Sequence, residues 1–195
     1  EHFYPDMLEN ISSCKSPHQM QGAIVKTYLA NQEHIAKENI VMVSVMPCTA
    51  KKFEITREDE CGAGVPDVDI VITTNELAQI LKDAEIQLEA MNPNAKFDLP
   101  LGFGTGAAVI FGVTGGVMEA ALRTAVEKLT GKDTVLEYTD VRGMNGIKEA
   151  SVDVNGTTVK VAVVSGLANA NQLLTAIKNG TADYQFVEVM ACPGG

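Results

Sequence analysis

The sequence predicts an α/β protein, with a mainly parallel, twisted sheet flanked by helices and an antiparallel β-hairpin insertion. The runs 40–46 and 67–74 are short, apolar and β-branched, as strands buried on both faces of a parallel sheet are. Amphipathic helical patterns alternate with these runs. The dipeptide Asn155-Gly156 favours a two-residue type I′ hairpin. Because no internal repeat or low-complexity linker divides the chain, residues 1–195 are predicted to form a single α/β unit.

The first half of the chain alternates helical and strand patterns. Apolar residues recur near a 3.6-residue period after the Ser16-Pro17 break, which indicates a helix. Pro47 ends the first strand and places Cys48 in the loop just beyond it. The predicted elements are, in order, helix 19–37, strand 40–46, strand 67–74, helix 75–84 and a long loop at 85–107.

The second half changes from helical periodicity to strand alternation. A glycine-rich turn at Phe111–Gly116 opens its first helix, and backbone N–H groups exposed at such a start favour an anion. The predicted elements are helix 117–129, strands 134–141, 147–154 and 157–164, helix 168–178 and a last strand at 184–190.

The formal net charge of -10 argues against binding to nucleic acid or to an anionic membrane, since both require clustered Lys and Arg. A cationic or redox-protein partner fits this charge better. No run approaches the roughly 18 apolar residues of a membrane span, and no signal-peptide pattern opens the chain. The expected compartment is therefore the cytoplasm.

Two of the four cysteines follow apolar, strand-like runs in Met-x-Cys segments. Ligands gather at the carboxyl ends of strands in open α/β folds, so Cys48 and Cys192 are candidates for one shared site. The four cysteines match neither a zinc ribbon nor a Cys-x-x-Cys redox motif, and in a reducing cytosol we expect free thiols: Cys14, Cys48, Cys61 and Cys192.

Cys48 has two interpretations. Free cysteine is among the most buried residue types and often only packs. Alternatively, Lys51 and Glu54 follow it at helical spacing, and a nearby ammonium would stabilise the thiolate that binds metal or attacks electrophiles.

The segment after Cys192 also has two interpretations. Gly194 and Gly195 would let the backbone approach an iron–sulfur cluster and donate N–H groups to it. Alternatively, Pro193, Gly194 and Gly195 form an ordinary turn. Met46 and Met190 precede the two cysteines by two positions, and methionine is more often core filler than a cofactor contact.

The remaining polar candidates have ordinary explanations. Ser12 lies in a polar turn of the kind that caps a helix. The histidines, His2, His18 and His34, show no metal-binding spacing and are expected to be exposed or hydrogen-bonded. The sequence contains no Walker, GxGxxG or Gly-x-Ser-x-Gly motif.

Taken together, MPCTAKKFE, FGVTGGVMEAALR, VRGMNGIKEA and VEVMACPGG resemble the catalytic domain of iron-only (FeFe) hydrogenases. The resemblance covers the chain in order from Ser12 to Gly195. It implies an H-cluster, in which a 4Fe-4S cubane is joined through a cysteine to a two-iron subcluster with CO, cyanide and azadithiolate ligands. It also implies the reversible oxidation of dihydrogen to protons and electrons.

The resemblance also implies roles for individual residues. Cys48 and Cys192 match two cubane ligands, Lys51 matches a lysine that hydrogen-bonds a cyanide, and Glu54 matches the acid paired with it. Ser12 matches a serine of the proton path, and His18 stands where the family often has glutamine. The positions expected to contact the cofactor are Met46, Pro47, Phe111, Gly112, Met190, Gly194 and Gly195.

The family's first cysteine motif is expected just before Glu1 and its bridging cysteine just after Gly195. The chain therefore resembles the larger part of an H-cluster domain, truncated at both ends, and is expected not to hold the cofactor alone. The implied electron partner is ferredoxin or an NAD(P)-linked flavoprotein subunit. Two alternatives stay open, a related iron–sulfur assembly protein without the two-iron unit and a thiol enzyme using Cys48 with Lys51.

Overall fold

The computed structural model describes residues 2–141 and 144–192. The chain divides into two compact units, Glu1–Gly102 and Phe103–Gly195, each with a sheet of its own. The α/β class is confirmed, with the strands divided between these two sheets. No helix among the described residues is both long enough and apolar enough to cross a membrane.

A 3-10 turn at Pro5–Asn10 opens the first unit and is followed by a helical segment that is shorter than its sequence pattern. Pro17 occupies the first helical position, where its missing N–H costs nothing. The segment ends after Gln32 because His34 adopts a left-handed φ of 54°, so the predicted extension to residue 37 is absent. The helices of this unit are α1 (Pro17–Ile24), continued by a π-type turn at Val25–Leu29, α2 (Ala30–Gln32), α3 (Ala50–Glu54) and α4 (Thr74–Asp83).

Two parallel strands form the sheet of the first unit. These are β1 (Val43–Met46) and β2 (Ile70–Thr73), with Met46 opposite Thr73 at their carboxyl ends. β2 leads directly into α4, whose start is fixed by a capping box between Thr73 and Glu76. Between Asp83 and Gly102 the chain is irregular apart from a short 3-10 turn at Leu88–Ala90, in agreement with most of the predicted loop at 85–107. The predicted end of that loop is wrong, because a helix begins at Gly106.

Helix α1 lies close to the loop that precedes β2. A Cβ atom at Gly22 would stand 2.1 Å from the backbone oxygen of Asp67, so glycine permits this approach. The carboxylate of Asp67 is fully buried and accepts the backbone N–H groups of Gly62 and Ala63 at 2.8 and 2.9 Å. These bonds hold the loop together internally, at the place where it lies against the helix.

The second unit holds a four-stranded mixed sheet of order β3-β4-β5-β6. The first three strands are antiparallel, and β6 pairs parallel with β5. Asn155 and Gly156 have φ values of 52° and 84°, so the predicted type I′ hairpin is confirmed. The elements are α5 (Gly106–Ile110), α6 (Gly116–Thr130), β3 (Thr139–Asp140), β4 (Ile147–Val154), β5 (Thr157–Ser165), α7 (Leu167–Lys178) and β6 (Phe186–Met190).

Strand β5 is buried on both faces. Val161 and Val163 pack with Met118 of α6, whereas the alternate residues Ala162 and Val164 pack in a cluster with α7. This alternation follows from the two-residue period of a strand. Helices α6 and α7 therefore cover opposite faces of the sheet. Strand β6 is the edge strand next to β5.

Candidate functional site

Cys48 lies at the carboxyl end of β1, in the bend before α3. Its thiol is free and the residue is half-buried. Because parallel strands end at a common edge, this bend shares its edge of the sheet with the start of α4. The position agrees with the sequence-based expectation of a thiol at a strand edge.

Helix α3 places Lys51 and Glu54 three positions apart on one side. The Lys51 Nζ lies 2.8 Å from Glu54 Oε1, and the two side chains are 30% and 20% exposed. The second carboxylate oxygen, Oε2, accepts a hydrogen bond from Ser16 Oγ at 2.7 Å and contacts His18 Nε2. The carboxylate thus joins α3 to the start of α1.

Glu54 is ionised at neutral pH. Burial favours the neutral acid, but hydrogen bonds from Lys51, His18 and Ser16 outweigh it and lower the pKa of Glu54 to about 2. An ionised carboxylate only accepts hydrogen bonds, so His18 Nε2 carries a hydrogen and donates a hydrogen bond to Glu54. The other ring nitrogen, Nδ1, lies 3.0 Å from the hydroxyl oxygen of Ser44 in β1.

Three members of this network were missed as site residues by the sequence analysis. Ser16 was assigned to a break before a helix, but its hydroxyl bonds Glu54 and does not cap α1. His18 was expected to be exposed or hydrogen-bonded, and the side chain is 8% exposed with both ring nitrogens in contact. The signal available for Ser44 was a single polar residue inside an apolar strand run.

The other candidates of the first unit lie near this network in sequence but have weaker geometry. Met46 is half-buried at the end of β1, on the same face as Ser44 by strand alternation. Pro47 is exposed. Ser12 is exposed and accepts the backbone N–H of Cys14 at 3.2 Å, so the described contacts do not include it in the Glu54 network.

The second unit carries the remaining candidates. Phe111 ends α5 and is half-buried, and Gly112 is exposed in the turn that follows. Met190 is the last residue of β6, opposite Ser165, and Cys192 follows it as an exposed free thiol. Gly194 and Gly195 lie outside the described residues.

The glycine-rich turn before α6 does receive an anion, and it comes from the protein itself. Glu188 of β6 accepts the backbone N–H of Gly115 at 2.7 Å through Oε1 and that of Met118 at 2.8 Å through Oε2. Gly115 has a φ of 90°, a conformation that favours glycine. The first turn of α6 is therefore satisfied by a carboxylate, as the helix dipole favours.

Within 2–141 and 144–192, no group of three or more His, Cys, Asp or Glu side chains is arranged to hold a metal ion. Cys48 belongs to the first unit and Cys192 to the second. Each unit thus contributes one of the two thiols that the sequence assigns to the site.

Comparison with known proteins decides the family. Residues 1–195 match the family model described as iron only hydrogenase large subunit, C-terminal domain. The chain belongs to this family. Over 196 residues it is 52% identical to an NADP-reducing hydrogenase subunit of Solidesulfovibrio fructosivorans, covering 100% of this chain and 33% of that protein.

Two further relatives differ from each other in the function that their names give. The chain is 48% identical to the periplasmic Fe hydrogenase large subunit of Nitratidesulfovibrio vulgaris, covering 100% of this chain and 46% of that one. It is 34% identical to a probable cytosolic Fe-S cluster assembly factor of Culex quinquefasciatus, with 97% and 41% covered. The chain thus spans less than half the length of these relatives.

A solved FeFe hydrogenase structure from Chlamydomonas reinhardtii matches with a TM-score of 0.81 and 43% sequence identity. The match covers 99% of this chain and 56% of the other. The α/β arrangement of this family member is therefore that of a FeFe hydrogenase.

Proposed function

We propose that the complete protein containing this chain is a FeFe hydrogenase that interconverts dihydrogen with protons and electrons at an H-cluster. The observation that carries the proposal is the Lys51–Glu54 pair, held by Ser16 and His18 directly after the Cys48 bend. A lysine fixed in this way suits an anionic cyanide ligand. The higher identity to hydrogenases than to assembly factors supports the same conclusion.

The residues present fit part of such a cofactor site. Cys48 and Cys192 are free thiols and suit two of the four positions that a cubane requires. The described contacts of the Lys51 ammonium use one N–H donor, which leaves further donors for cyanide. The remaining thiolates are assigned to the rest of the H-cluster domain, in which we place both units.

When bound, the H-cluster supplies an iron Lewis acid and a pendant base for heterolytic cleavage of H2. The chain would supply the surroundings. Cys48 and Cys192 would ligate the cubane, and Lys51 would donate to cyanide while Glu54 keeps that ammonium in place. We assign the apolar wall around the two-iron unit to Met46, Phe111 and Met190. The further cofactor contacts are assigned to Pro47, Gly112, Gly194 and Gly195.

We assign Ser12 to the proton path. Its exposed hydroxyl, in the segment that precedes α1, suits the transfer of a proton to solvent. For electrons, the NADP-reducing relative supports ferredoxin or an NAD(P)-linked flavoprotein subunit as partner. A link to the NADP pool favours the cytoplasm as the compartment.

The second candidate function is iron–sulfur protein assembly, which the 34% identical assembly factor supports. This function requires thiolates but no two-iron subcluster. Lys51, Glu54 and the two methionines would then have no cyanide or two-iron unit to contact. The paired geometry of Lys51 and Glu54 therefore favours the hydrogenase.

Anaerobic maturation of the complete protein tests the proposal. We expect infrared bands of CO and cyanide, labile sulfide, and turnover of H2. Iron–sulfur content without CO and cyanide bands and without H2 turnover would overturn the hydrogenase proposal and favour the assembly function. Cys48→Ser should lower the iron content strongly, whereas Cys61→Ser should not, since Cys61 is exposed and donates to Glu58 O at 3.2 Å.

A further inference from the structure

His18 connects two parts of the first unit through both ring nitrogens. Nδ1 lies 3.0 Å from Ser44 Oγ in the middle of β1, and Nε2 contacts Glu54 Oε2 at the end of α3. The side chain is 8% exposed. A ring held at both nitrogens in a buried position has a single orientation available to it.

The direction of the hydrogen bonds follows from the ionised carboxylate. Glu54 accepts, so Nε2 donates, and the hydroxyl of Ser44 serves Nδ1 as donor or acceptor according to the charge of the ring. A hydrogen bond to a charged carboxylate is shorter and stronger than a neutral one. Among the described contacts, Ser16 and His18 both donate to Glu54 Oε2, but His18 alone of the two also contacts β1, through Ser44.

The order Ser44, His18, Glu54 resembles the residue types of a nucleophilic triad, but its geometry serves another purpose. Ser44 is 9% exposed and lies inside β1, opposite Val71 of β2. A hydroxyl in that position is closed to a substrate carbonyl. Ser44 instead anchors the imidazole to β1, all four residues of which pair with β2.

Lys51 needs such an anchor. Its side chain is long and lies on a helix of only five residues, Ala50–Glu54, which provides little rigidity of its own. Glu54 is its described acceptor, at 2.8 Å. Whatever fixes Glu54 therefore fixes the ammonium.

We propose that His18 is a positioning residue that transmits the rigidity of β1, through Ser44 and Glu54, to the ammonium of Lys51. The inference rests on the proposed function for its catalytic consequence, because a fixed ammonium matters there for cyanide. Its structural content, that His18 sets the position of Lys51, does not depend on the cofactor. The sequence resemblance assigned no role to this histidine, which replaces a frequent glutamine.

The test uses the complete protein and compares His18→Ala, His18→Gln and Ser44→Ala, with exposed His2 as the site of a control, His2→Ala. Before cofactor insertion, ¹⁵N NMR of the Lys51 ammonium reports its fixation. We expect a resolved signal in the unmodified protein and in His2→Ala. We expect loss or broadening of that signal in His18→Ala and a smaller change in Ser44→Ala.

After maturation, the same variants are compared by infrared spectroscopy and kinetics. We expect His18→Ala to shift a cyanide band and to lower kcat on the order of tenfold with little change in the KM for H2. His18→Gln retains an N–H donor for Glu54 and should recover part of both effects. It keeps the test valid in the case that His18→Ala does not fold.

Unchanged Lys51 signals, cyanide bands and kcat in folded His18→Ala and Ser44→Ala would overturn the inference and leave His18 a purely structural residue. A different result would overturn the hydrogenase proposal. In that outcome the unmodified protein lacks CO and cyanide bands, while the NMR comparison before cofactor insertion still decides whether His18 positions Lys51.

Discussion

Glu188 Oε1 accepts the backbone N–H of Gly115 at 2.7 Å, which joins β6 to the first turn of α6. The same carboxylate accepts the N–H of Met118 through its other oxygen. Phe111 precedes this turn, and Met190 ends the strand that carries Glu188. One side chain thus fixes two chain segments that carry proposed cofactor contacts in the second unit.

Removing the charge of Glu188 should loosen the start of α6. In Glu188→Gln, an amide can accept only through one oxygen and loses the favourable interaction with the helix dipole, so we expect a loss of about 1–2 kcal/mol in stability. Hydrogen exchange of the Gly115 and Met118 amides should accelerate. Thermal unfolding and exchange measured by mass spectrometry check both effects.

Glu137→Gln is the matched control, since Glu137 is an exposed carboxylate of the same unit. It should leave the unfolding temperature and the exchange of both amides unchanged. Equal exchange rates in the two variants would contradict the role given to Glu188.

Lys51 and its neighbour Lys52 should differ sharply when replaced. Lys51 pairs with Glu54 on α3, whereas Lys52 reaches Glu76 of α4 at 2.6 Å, with both side chains of that second pair substantially exposed. Lys51→Ala in the complete protein should strongly reduce retention of the two-iron subcluster and turnover of H2. Lys52→Ala should retain both, because an exposed ion pair contributes little.

The readouts for this pair are iron content, CO and cyanide infrared bands, and H2 turnover. Full iron loading and normal turnover in Lys51→Ala would refute the assignment of Lys51 to the cofactor. A loss of the same size in Lys52→Ala would point to damage of the helix rather than to a specific contact.

Local signals in the sequence predicted most of the elements, though not α5, and one contact of the proposed site. Lys51 and Glu54 were found because one short helical turn brings them together, and the hairpin was found from the turn chemistry of Asn155-Gly156. The predicted strand at 134–141 shrinks to Thr139–Asp140, because alternation alone does not supply a pairing partner.

The missed contacts all join distant positions. His18 meets Ser44 across 26 positions and Glu54 across 36, and Glu188 meets Gly115 across 73. No periodicity or motif encodes such contacts, since they depend on which elements pack together. The two thiols and the Lys51–Glu54 pair are therefore predictable from the sequence, whereas the side chains that hold Glu54 are not.

The stability of the protein at low pH should depend on the protonation of Glu54. Its pKa is lowered to about 2 by Lys51, His18 and Ser16 against the opposing effect of burial, from an ordinary value of 4.5. The stabilisation is therefore fully present above pH 4.5 and is lost as the pH falls from 4.5 towards 2. Glu54→Gln should lower stability near neutral pH and flatten its dependence on pH across this window.

Thermal unfolding of the complete protein before cofactor insertion, measured in steps from neutral pH to pH 2.5, checks this prediction. Glu33→Gln is a suitable control because Glu33 is exposed at the end of α2. If Glu54→Gln and the unmodified protein lost stability in parallel over the whole window, the hydrogen bonds at Glu54 would not lower its pKa as described.

Alanine should destabilise the protein at one helical glycine, Gly22, but not at another, Gly106. Alanine normally stabilises a helix relative to glycine by up to about 1 kcal/mol. At Gly22 the new Cβ would stand 2.1 Å from the Asp67 backbone oxygen, so α1 or the loop before β2 must shift. We expect Gly22→Ala to cost about 1–3 kcal/mol despite the gain in helix propensity.

Gly106 begins α5, and a Cβ there would meet nothing within 4 Å. Gly106→Ala should therefore be neutral or slightly stabilising in the same unfolding experiment. Because α1 carries His18, a displaced α1 should also broaden the Lys51 ammonium signal in Gly22→Ala and leave it sharp in Gly106→Ala. A stabilised Gly22→Ala with an unchanged signal would show that α1 does not need this close approach to hold Glu54 in place.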